Sequence, residues 1–217
     1  MKRFELLIFD WDGTLMDSAA AIVASIQAAA ADLGWPVPSR EASSHIIGLG
    51  LREAVSTLFP ERDATEIPRI VERYRHHYLS RDHEIELFPG ARELIEELHG
   101  RGHRLAVATG KARHGLDRAF AHSGLAPYFH ASRTADETHS KPHPAMLLEL
   151  LNECGTPPER ALMIGDTSHD LKMASQAGVA ALAAGYGAHP IEHLEDFPAL
   201  AICNEFDELA QWLRENA

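Results

Sequence analysis

The chain has 217 residues, of which 45% are hydrophobic and 24% are charged, and its formal net charge at pH 7 is −12. A chain of this size can bury one good core and still form a small second domain. The negative charge argues against a basic surface for nucleic acid or an anionic membrane, and no apolar run reaches the roughly 18 residues of a membrane helix. The N-terminus leads directly into a strand and the two cysteines have no metal-ligand spacing, so we expect a cytoplasmic protein.

A short apolar segment near the N-terminus, Leu6–Phe9, predicts a buried strand that runs straight into two carboxylates, Asp10 and Asp12. Residues two apart in an extended chain face the same side, so both acids point at one place beyond the strand. Like charges this close repel each other and usually need a cation. Gly13 and Thr14 predict a sharp turn where the backbone lies against a ligand. An acidic turn after a strand is also common, so the segment needs context from elsewhere in the chain.

Residues 16–85 are predicted to contain only helices, and either Asp17 or Ser18 can cap the first of them. Four consecutive helices do not make an ordinary crossover between neighbouring strands. We therefore predict a separate helical module, inserted over the carboxyl ends of the strands and joined by hinges near residues 15–18 and 84–90. The four helices are expected at residues 17–33, directly after residue 39, at residues 51–59 and around residues 67–78.

From residue 86 onward, predicted strands and helices alternate, which indicates a parallel sheet covered by helices on both sides. Residues 179–184 are apolar at every position, as in a parallel strand that is buried on both faces. The fold class predicted is α/β, with a Rossmann-like, doubly wound parallel sheet as the core. This core comprises residues 1–15 and 86–217, and residues 16–85 form the inserted α-helical domain.

Three later segments place further polar side chains at predicted strand ends. Thr109 and Gly110 follow one strand, where a hydroxyl and a backbone N–H can both donate to a phosphate. Lys141 offers a mobile point charge to an anionic group. Asp166 and Asp170 follow another strand, and a hard cluster of oxygen ligands suits Mg²⁺. Asp170 is also explained as an acid in the first turn of a helix, which the helix dipole favours.

The order of these motifs along the chain resembles the haloacid dehalogenase superfamily of phosphohydrolases, with a helical cap of the first type. The length and the N-terminal motif are most similar to the phosphoglycolate phosphatase group. The resemblance implies that Asp10 is the nucleophile and that Asp12 is the general acid and then the base. It also implies Mg²⁺ bound by the Asp10 side chain, the Asp12 backbone carbonyl and Asp166, with Asp170 as a further ligand or as a partner that orients Lys141.

Substrate choice is expected to depend on the cap, where the turn of residues 48–50 is flanked by His45 and Arg52. Arg52 is a candidate for binding a second anionic group of the substrate, although a plain surface arginine explains it equally well. His45 is a weaker candidate, because most lone histidines are surface or packing residues.

Several activities of the superfamily differ in the residues they need. Asp12 argues against a true dehalogenase, and residues 16–85 contain no lysine for a phosphonate-type Schiff base. A phosphosugar mutase of the beta-phosphoglucomutase type and a non-catalytic regulatory binding module both stay open as alternatives. We predict an Mg²⁺-dependent phosphatase for a small phosphoglycolate-like phosphate monoester, acting as a monomer or weak homodimer without nucleic-acid or membrane partners.

Overall fold

A parallel sheet forms the centre of the protein in the computed structural model, which describes residues 3–217. Its strands are β1 (Leu6–Phe9), β2 (Arg104–Thr109), β3 (Ala131–Thr134), β4 (Ala161–Gly165), β5 (Ala180–Ala184) and β6 (Ile202–Cys203). They lie in the order β3-β2-β1-β4-β5-β6, and every neighbouring pair is parallel. The predicted α/β class with a doubly wound parallel sheet is confirmed.

Helices cover the sheet on both faces because the side chains of β1 alternate between two apolar cores. The helices are α1 (Ala19–Asp32), α2 (Arg40–His45), α3 (Leu51–Leu58), α4 (Ile67–Leu79), α5 (Ala91–Gly100), α6 (Arg113–Ser123), α7 (Ala145–Cys154), α8 (Ser168–Ala177), α9 (Ile191–Leu194) and α10 (Phe206–Asn216). Leu7 and Phe9 pack in a core with α5, α6 and α10, whereas Leu6 and Ile8 pack in a core with α7 and α8. The middle strand is therefore buried on both faces.

Helices α1–α4 lie between β1 and β2 in the chain, and α1, α3 and α4 share an apolar cluster of their own, which includes Ile26, Trp35 and Ile70. The segments that enter and leave them run side by side. The Phe88 N–H donates to the Leu15 carbonyl at 2.9 Å, and the Asp17 N–H donates to the Glu86 carbonyl at 3.0 Å. The domain boundaries drawn at residues 15 and 85 stay a prediction.

The elements differ from the prediction at three places. The Ser18 side chain does not cap α1, because its hydroxyl donates to Asp12 Oδ1 at 2.7 Å. Helix α9 was not predicted, since four residues are too few for a periodic pattern. Strand β3 begins after residue 129, where a strand was expected, because residues 126–128 form a 3₁₀ turn. Within residues 3–217 no helix has the length and apolar character needed to cross a membrane.

Candidate active site

The carboxyl ends of β1 and β4 bring the predicted acids together. The Asp10 N–H donates to the Ile164 carbonyl at 2.8 Å and so extends the pairing of the two strands. The chain then turns at Gly13, whose φ is +79°. A Cβ at Gly13 would lie 2.1 Å from Asp166 Oδ2, so the turn needs glycine both for its backbone conformation and for the close approach of Asp166.

Lys141 joins two of these carboxylates in a buried charge cluster. Its Nζ lies 2.8 Å from Asp10 Oδ1 and 2.7 Å from Asp170 Oδ1, and all three side chains are at most 1% exposed. Burial opposes the charge of Lys141, but the two carboxylates outweigh it and raise the pKa of Lys141 above its ordinary value. Asp170 is held in turn by the Thr167 hydroxyl, which donates to its Oδ2 at 2.6 Å. Lys141 is thus a charged group fixed between two acids.

Asp166 is the third buried carboxylate of the cluster. The Thr14 hydroxyl donates to its Oδ1 and the Ala188 N–H to its Oδ2, both at 2.8 Å. Burial and the nearby Asp170 charge raise the pKa of Asp166 to about 7. Burial also holds the pKa of Asp10 well above its ordinary range, against the opposing effect of Lys141. The cluster therefore carries more negative charge than its protein surroundings compensate.

The acidic cluster fits a hard divalent cation. One carboxylate oxygen from each of Asp10, Asp166 and Asp170 lies within 4.8 Å of the other two. Among residues 3–217, Asp10 Oδ2 is buried and has no hydrogen-bond partner. The Lys141 ammonium group contacts only two of the three carboxylates, and oxygen ligands with excess negative charge are what Mg²⁺ prefers.

The Asp12 side chain lies apart from this cluster, although it was predicted together with it. Its Oδ1 is 2.9 Å from Lys111 Nζ and accepts the Ser18 hydroxyl at 2.7 Å. Lys111 Nζ also donates to the Tyr78 hydroxyl at 3.0 Å. Nothing in the sequence besides its position directly after Gly110 indicates that Lys111 belongs to the site, and a solvated lysine at the start of a helix explains it at least as well. A metal contact from the Asp12 backbone carbonyl stays a prediction.

Thr109 and Gly110 lie where the turn of residues 48–50 meets the sheet. Thr109 is fully buried, and its hydroxyl accepts the Lys111 N–H at 3.2 Å. A Cβ at Gly110 would lie 2.5 Å from the carbonyl oxygens of Gly48 and Leu49. The Gly50 N–H also donates to the Ser140 hydroxyl at 2.7 Å. The turn of residues 48–50 is therefore docked against the sheet edge beside the acids.

A cavity of about 440 Å³ separates the helical segment from the sheet edge. Asp10, Asp12, Thr109, Gly110 and Lys111 line it from the sheet side. The helical segment contributes Ile22, Ile26, Arg52, Tyr74, Arg75 and Tyr78. The sequence does not indicate that Tyr74, Arg75 and Tyr78 face the cavity. Their spacing occurs on any amphipathic helix and does not show which of its residues line a site.

The two residues proposed for substrate choice are separated by the structure. Arg52 lines the cavity, but His45 is not among its lining residues. The His45 ring instead stacks on the His189 ring, with 5.1 Å between the ring centroids. The position of His45 does not support a substrate contact, and the role of Arg52 stays a prediction.

Comparison with known proteins agrees with this arrangement. Residues 7–184 match the family model of haloacid dehalogenase-like hydrolases. The chain belongs to this family. This haloacid dehalogenase-like hydrolase is 35% identical over 210 residues to a probable phosphatase, IndB, of Dickeya dadantii. The match covers 94% of this chain and 91% of that one. It is 30% identical to a phosphoglycolate phosphatase of Aliivibrio fischeri over 96% of each chain.

A solved structure supports the same assignment. The crystal structure of a hydrolase from Pseudomonas syringae superposes with a TM-score of 0.88 at 26% identity, covering 97% of this chain and 98% of that one. The predicted superfamily and the predicted class of enzyme are both confirmed. The protein is a haloacid dehalogenase-like phosphatase.

Replacing Gly110 by alanine in this phosphatase is expected to lower kcat/KM by about tenfold or more, because a Cβ there displaces the turn of residues 48–50 from the sheet edge. The free energy of unfolding should also fall, because the added Cβ meets backbone atoms of the turn, which cannot rotate away as a side chain can. Steady-state kinetics and urea denaturation measure the two effects. Gly100→Ala is the matched control, because no neighbouring atom of residues 3–217 lies within 4 Å of a Cβ at Gly100. Equal kcat/KM for both variants would contradict the argument.

Proposed function

We propose that this enzyme is an Mg²⁺-dependent phosphatase that hydrolyses a small-molecule phosphate monoester through an aspartyl-phosphate on Asp10. The observation that carries the proposal is the Asp10 carboxylate. It lines the cavity, and its Oδ2 has no hydrogen-bond partner within residues 3–217. A carboxylate at the wall of a cavity is suited to nucleophilic attack when one oxygen is held, here by Lys141 and the Trp11 N–H, and the other has no partner within residues 3–217.

The first chemical step is the transfer of the phosphoryl group to Asp10. A carboxylate oxygen of Asp10 bonds to phosphorus while the bond from phosphorus to the ester oxygen breaks. Asp12 donates a proton to the leaving alkoxide. In the second step Asp12 takes a proton from water, the water oxygen attacks phosphorus, and Asp10 leaves as a carboxylate. Asp12 suits both steps because it lines the same cavity as Asp10 while its carboxylate lies apart from the Asp10 cluster.

The surrounding groups hold the nucleophile and the phosphate. Lys141 orients the Asp10 carboxylate and offsets part of its charge. The Thr109 hydroxyl and the Gly110 N–H are the proposed donors to the phosphate oxygens. Asp10, Asp166 and Asp170 would hold Mg²⁺, with a backbone contact from Asp12. When bound, this ion supplies the positive charge that lets an anionic phosphate approach a carboxylate.

Mg²⁺ is expected to raise the melting temperature more at about pH 8 than at about pH 5.5. The pKa of Asp166 is raised to about 7, so below that pH the ion must displace a proton from the folded protein. Without metal, the contribution of Asp166 to stability should fall as the pH rises from about 4 to about 7, because the folded state keeps this proton longer than the unfolded state. The difference in melting temperature between wild type and Asp166→Asn isolates this contribution. Differential scanning fluorimetry with and without Mg²⁺ measures both trends.

The variants Asp166→Asn and Asp117→Asn separate the carboxylate cluster from general charge effects. Asp117 is exposed on α6, so its replacement should leave the Mg²⁺ effect as in the wild type. Asp166→Asn should lose most of the effect at both pH values. A pH-independent Mg²⁺ effect, or one that survives in Asp166→Asn, would contradict the assignment.

The substrate is tested by Mg²⁺-dependent phosphate release from a panel that includes 2-phosphoglycolate, phosphosugars, nucleoside monophosphates and a generic aryl phosphate. One substrate far ahead of the others would support the phosphatase and identify its ester. Interconversion of a phosphosugar without phosphate release would support the mutase instead, and no reaction with any compound would favour a binding module. A cytoplasmic location and a monomeric or weakly dimeric state stay predictions.

A further inference from the structure

Three histidines meet at a place outside the cavity. His45 ends α2, His189 precedes α9, and His193 lies within α9. One ring nitrogen from each lies within 4.8 Å of the other two. None of the three lines the cavity, so they belong to a different place from the acidic cluster.

One ring nitrogen of this histidine cluster lacks a hydrogen-bond partner in the described part of the chain. His193 Nδ1 is buried and has no hydrogen-bond partner among residues 3–217. A buried polar atom left without a partner is unfavourable, so a ligand that uses its lone pair would be bound favourably. His45 is exposed, which leaves the cluster open to solvent on one side.

His189 can present its Nε2 lone pair to the same place. Burial lowers the pKa of its imidazole to about 4, so the ring is neutral at pH 7. In the structure, Nδ1 accepts the Ser168 N–H at 3.1 Å and Nε2 faces the His45 carbonyl oxygen at 3.1 Å. Metal binding through Nε2 moves the ring proton to Nδ1, and the ring turns so that it gives up the hydrogen bond from the Ser168 N–H and the contact with the His45 carbonyl oxygen. The Ser168 hydroxyl, 3.3 Å from Nδ1, then accepts that proton in a hydrogen bond of the kind that orients metal-bound histidines.

We propose that His45, His189 and His193 form a second metal site, which binds zinc or another transition-metal ion that prefers imidazole nitrogen. Tetrahedral zinc lies about 2.0–2.1 Å from each nitrogen, which places the nitrogens about 3.4 Å apart. Small ring movements therefore complete the site, and water supplies a fourth ligand. A histidine site selects against Mg²⁺, which prefers the oxygen ligands of the acidic cluster.

The site connects the helical segment to the core. His45 lies three residues before Gly48. The Gly48 carbonyl oxygen lies so close to Gly110 that a Cβ at Gly110 would be 2.5 Å from it. His189 and His193 belong to the core segment that follows β5. An ion bound to all three holds the turn of residues 48–50 against the sheet edge. Bound zinc is therefore expected to inhibit turnover by slowing the opening of the cavity.

Binding is tested without reference to catalysis, by calorimetric titration of Zn²⁺ into the protein in a large excess of Mg²⁺. The excess Mg²⁺ keeps the acidic cluster occupied. We expect one zinc ion per chain, with an affinity that falls at least about tenfold in His45→Gln and in His193→Gln, since loss of an outer-shell partner alone costs about 10–100-fold. His122→Gln, an exposed histidine of α6, is the matched control and should bind zinc like the wild type. Melting temperatures without zinc establish that each variant is folded.

Two results would overturn the proposal. One is unchanged zinc affinity in both His45→Gln and His193→Gln, which would place the ion elsewhere, for example at the exposed pair His139 and His143. The other is no zinc binding by the wild type. The connection to cavity opening is tested by zinc inhibition in wild type and His193→Gln with Mg²⁺ present. Inhibition that persists fully in His193→Gln would overturn that part, whereas its loss with normal zinc-free turnover would support it.

Discussion

Replacing Asp10 by asparagine is expected to lower kcat by roughly 10⁴-fold or more while the chain stays folded. Asparagine keeps the shape of the side chain and an oxygen that accepts the Trp11 N–H, a bond of 2.6 Å in the structure. It removes the carboxylate that attacks phosphorus. It also removes one of the negative charges that burial disfavours, so the metal-free protein should be at least as stable as the wild type.

Phosphate release and urea denaturation measure these two outcomes separately. Asp117→Asn is the matched control, since it makes the same chemical change at an exposed position on α6. An Asp10→Asn variant that keeps wild-type turnover would refute the covalent mechanism. A variant that fails to fold would refute the expectation for stability.

Replacing Lys141 by methionine is expected to abolish turnover and to lower the free energy of unfolding by about 3–5 kcal/mol near neutral pH. Methionine fills much of the same space, but it leaves the buried carboxylates of Asp10 and Asp170 without the ammonium group at 2.8 and 2.7 Å. The pKa of Asp10, which Lys141 holds down in the wild type, should rise further in the folded variant. The destabilisation should therefore shrink as the pH falls toward about 4, where carboxyl groups of the unfolded chain are also protonated.

Urea denaturation of wild type and variant at several pH values measures this trend. Lys172→Met is the matched control, because Lys172 is exposed on α8 and its loss should change stability little at any pH. The double variant Lys141→Met with Asp170→Asn should recover part of the stability, since it removes one unpaired charge. Equal stability of Lys141→Met and wild type at all pH values would show that the cluster does not hold the charges described here.

Much of the fold could be predicted because its signals are local. Residues 161–164 are all apolar and form most of β4 (Ala161–Gly165), and Gly124 and Gly155 follow the ends of α6 and α7 with positive φ. The prediction that the Ser18 side chain caps α1 was wrong, because a contact outside the helix takes its hydroxyl. Ser18 has the right position for an N-cap, but its hydroxyl binds the Asp12 carboxylate, whose place is set by the turn after β1.

The candidate site was predictable to the extent that it lies at strand ends. Asp10, Asp166 and Lys141 come together because parallel strands end at one edge of the sheet. Arg75 lines the cavity without any signal in the sequence, since a helix carries many charged residues and only its rotation decides which of them face inward.

The sequence by itself determined which residues follow each strand, and therefore the α/β fold, the acidic cluster and the family. Tertiary structure alone decided which distant groups meet: Lys111 with Asp12, residues 48–50 with Gly110, and His45 with His189, which are 144 positions apart. The physical reason is that strand and turn preferences act over a few neighbouring residues. The rotation of a helix and the docking of a loop are instead set by packing between segments far apart in the chain.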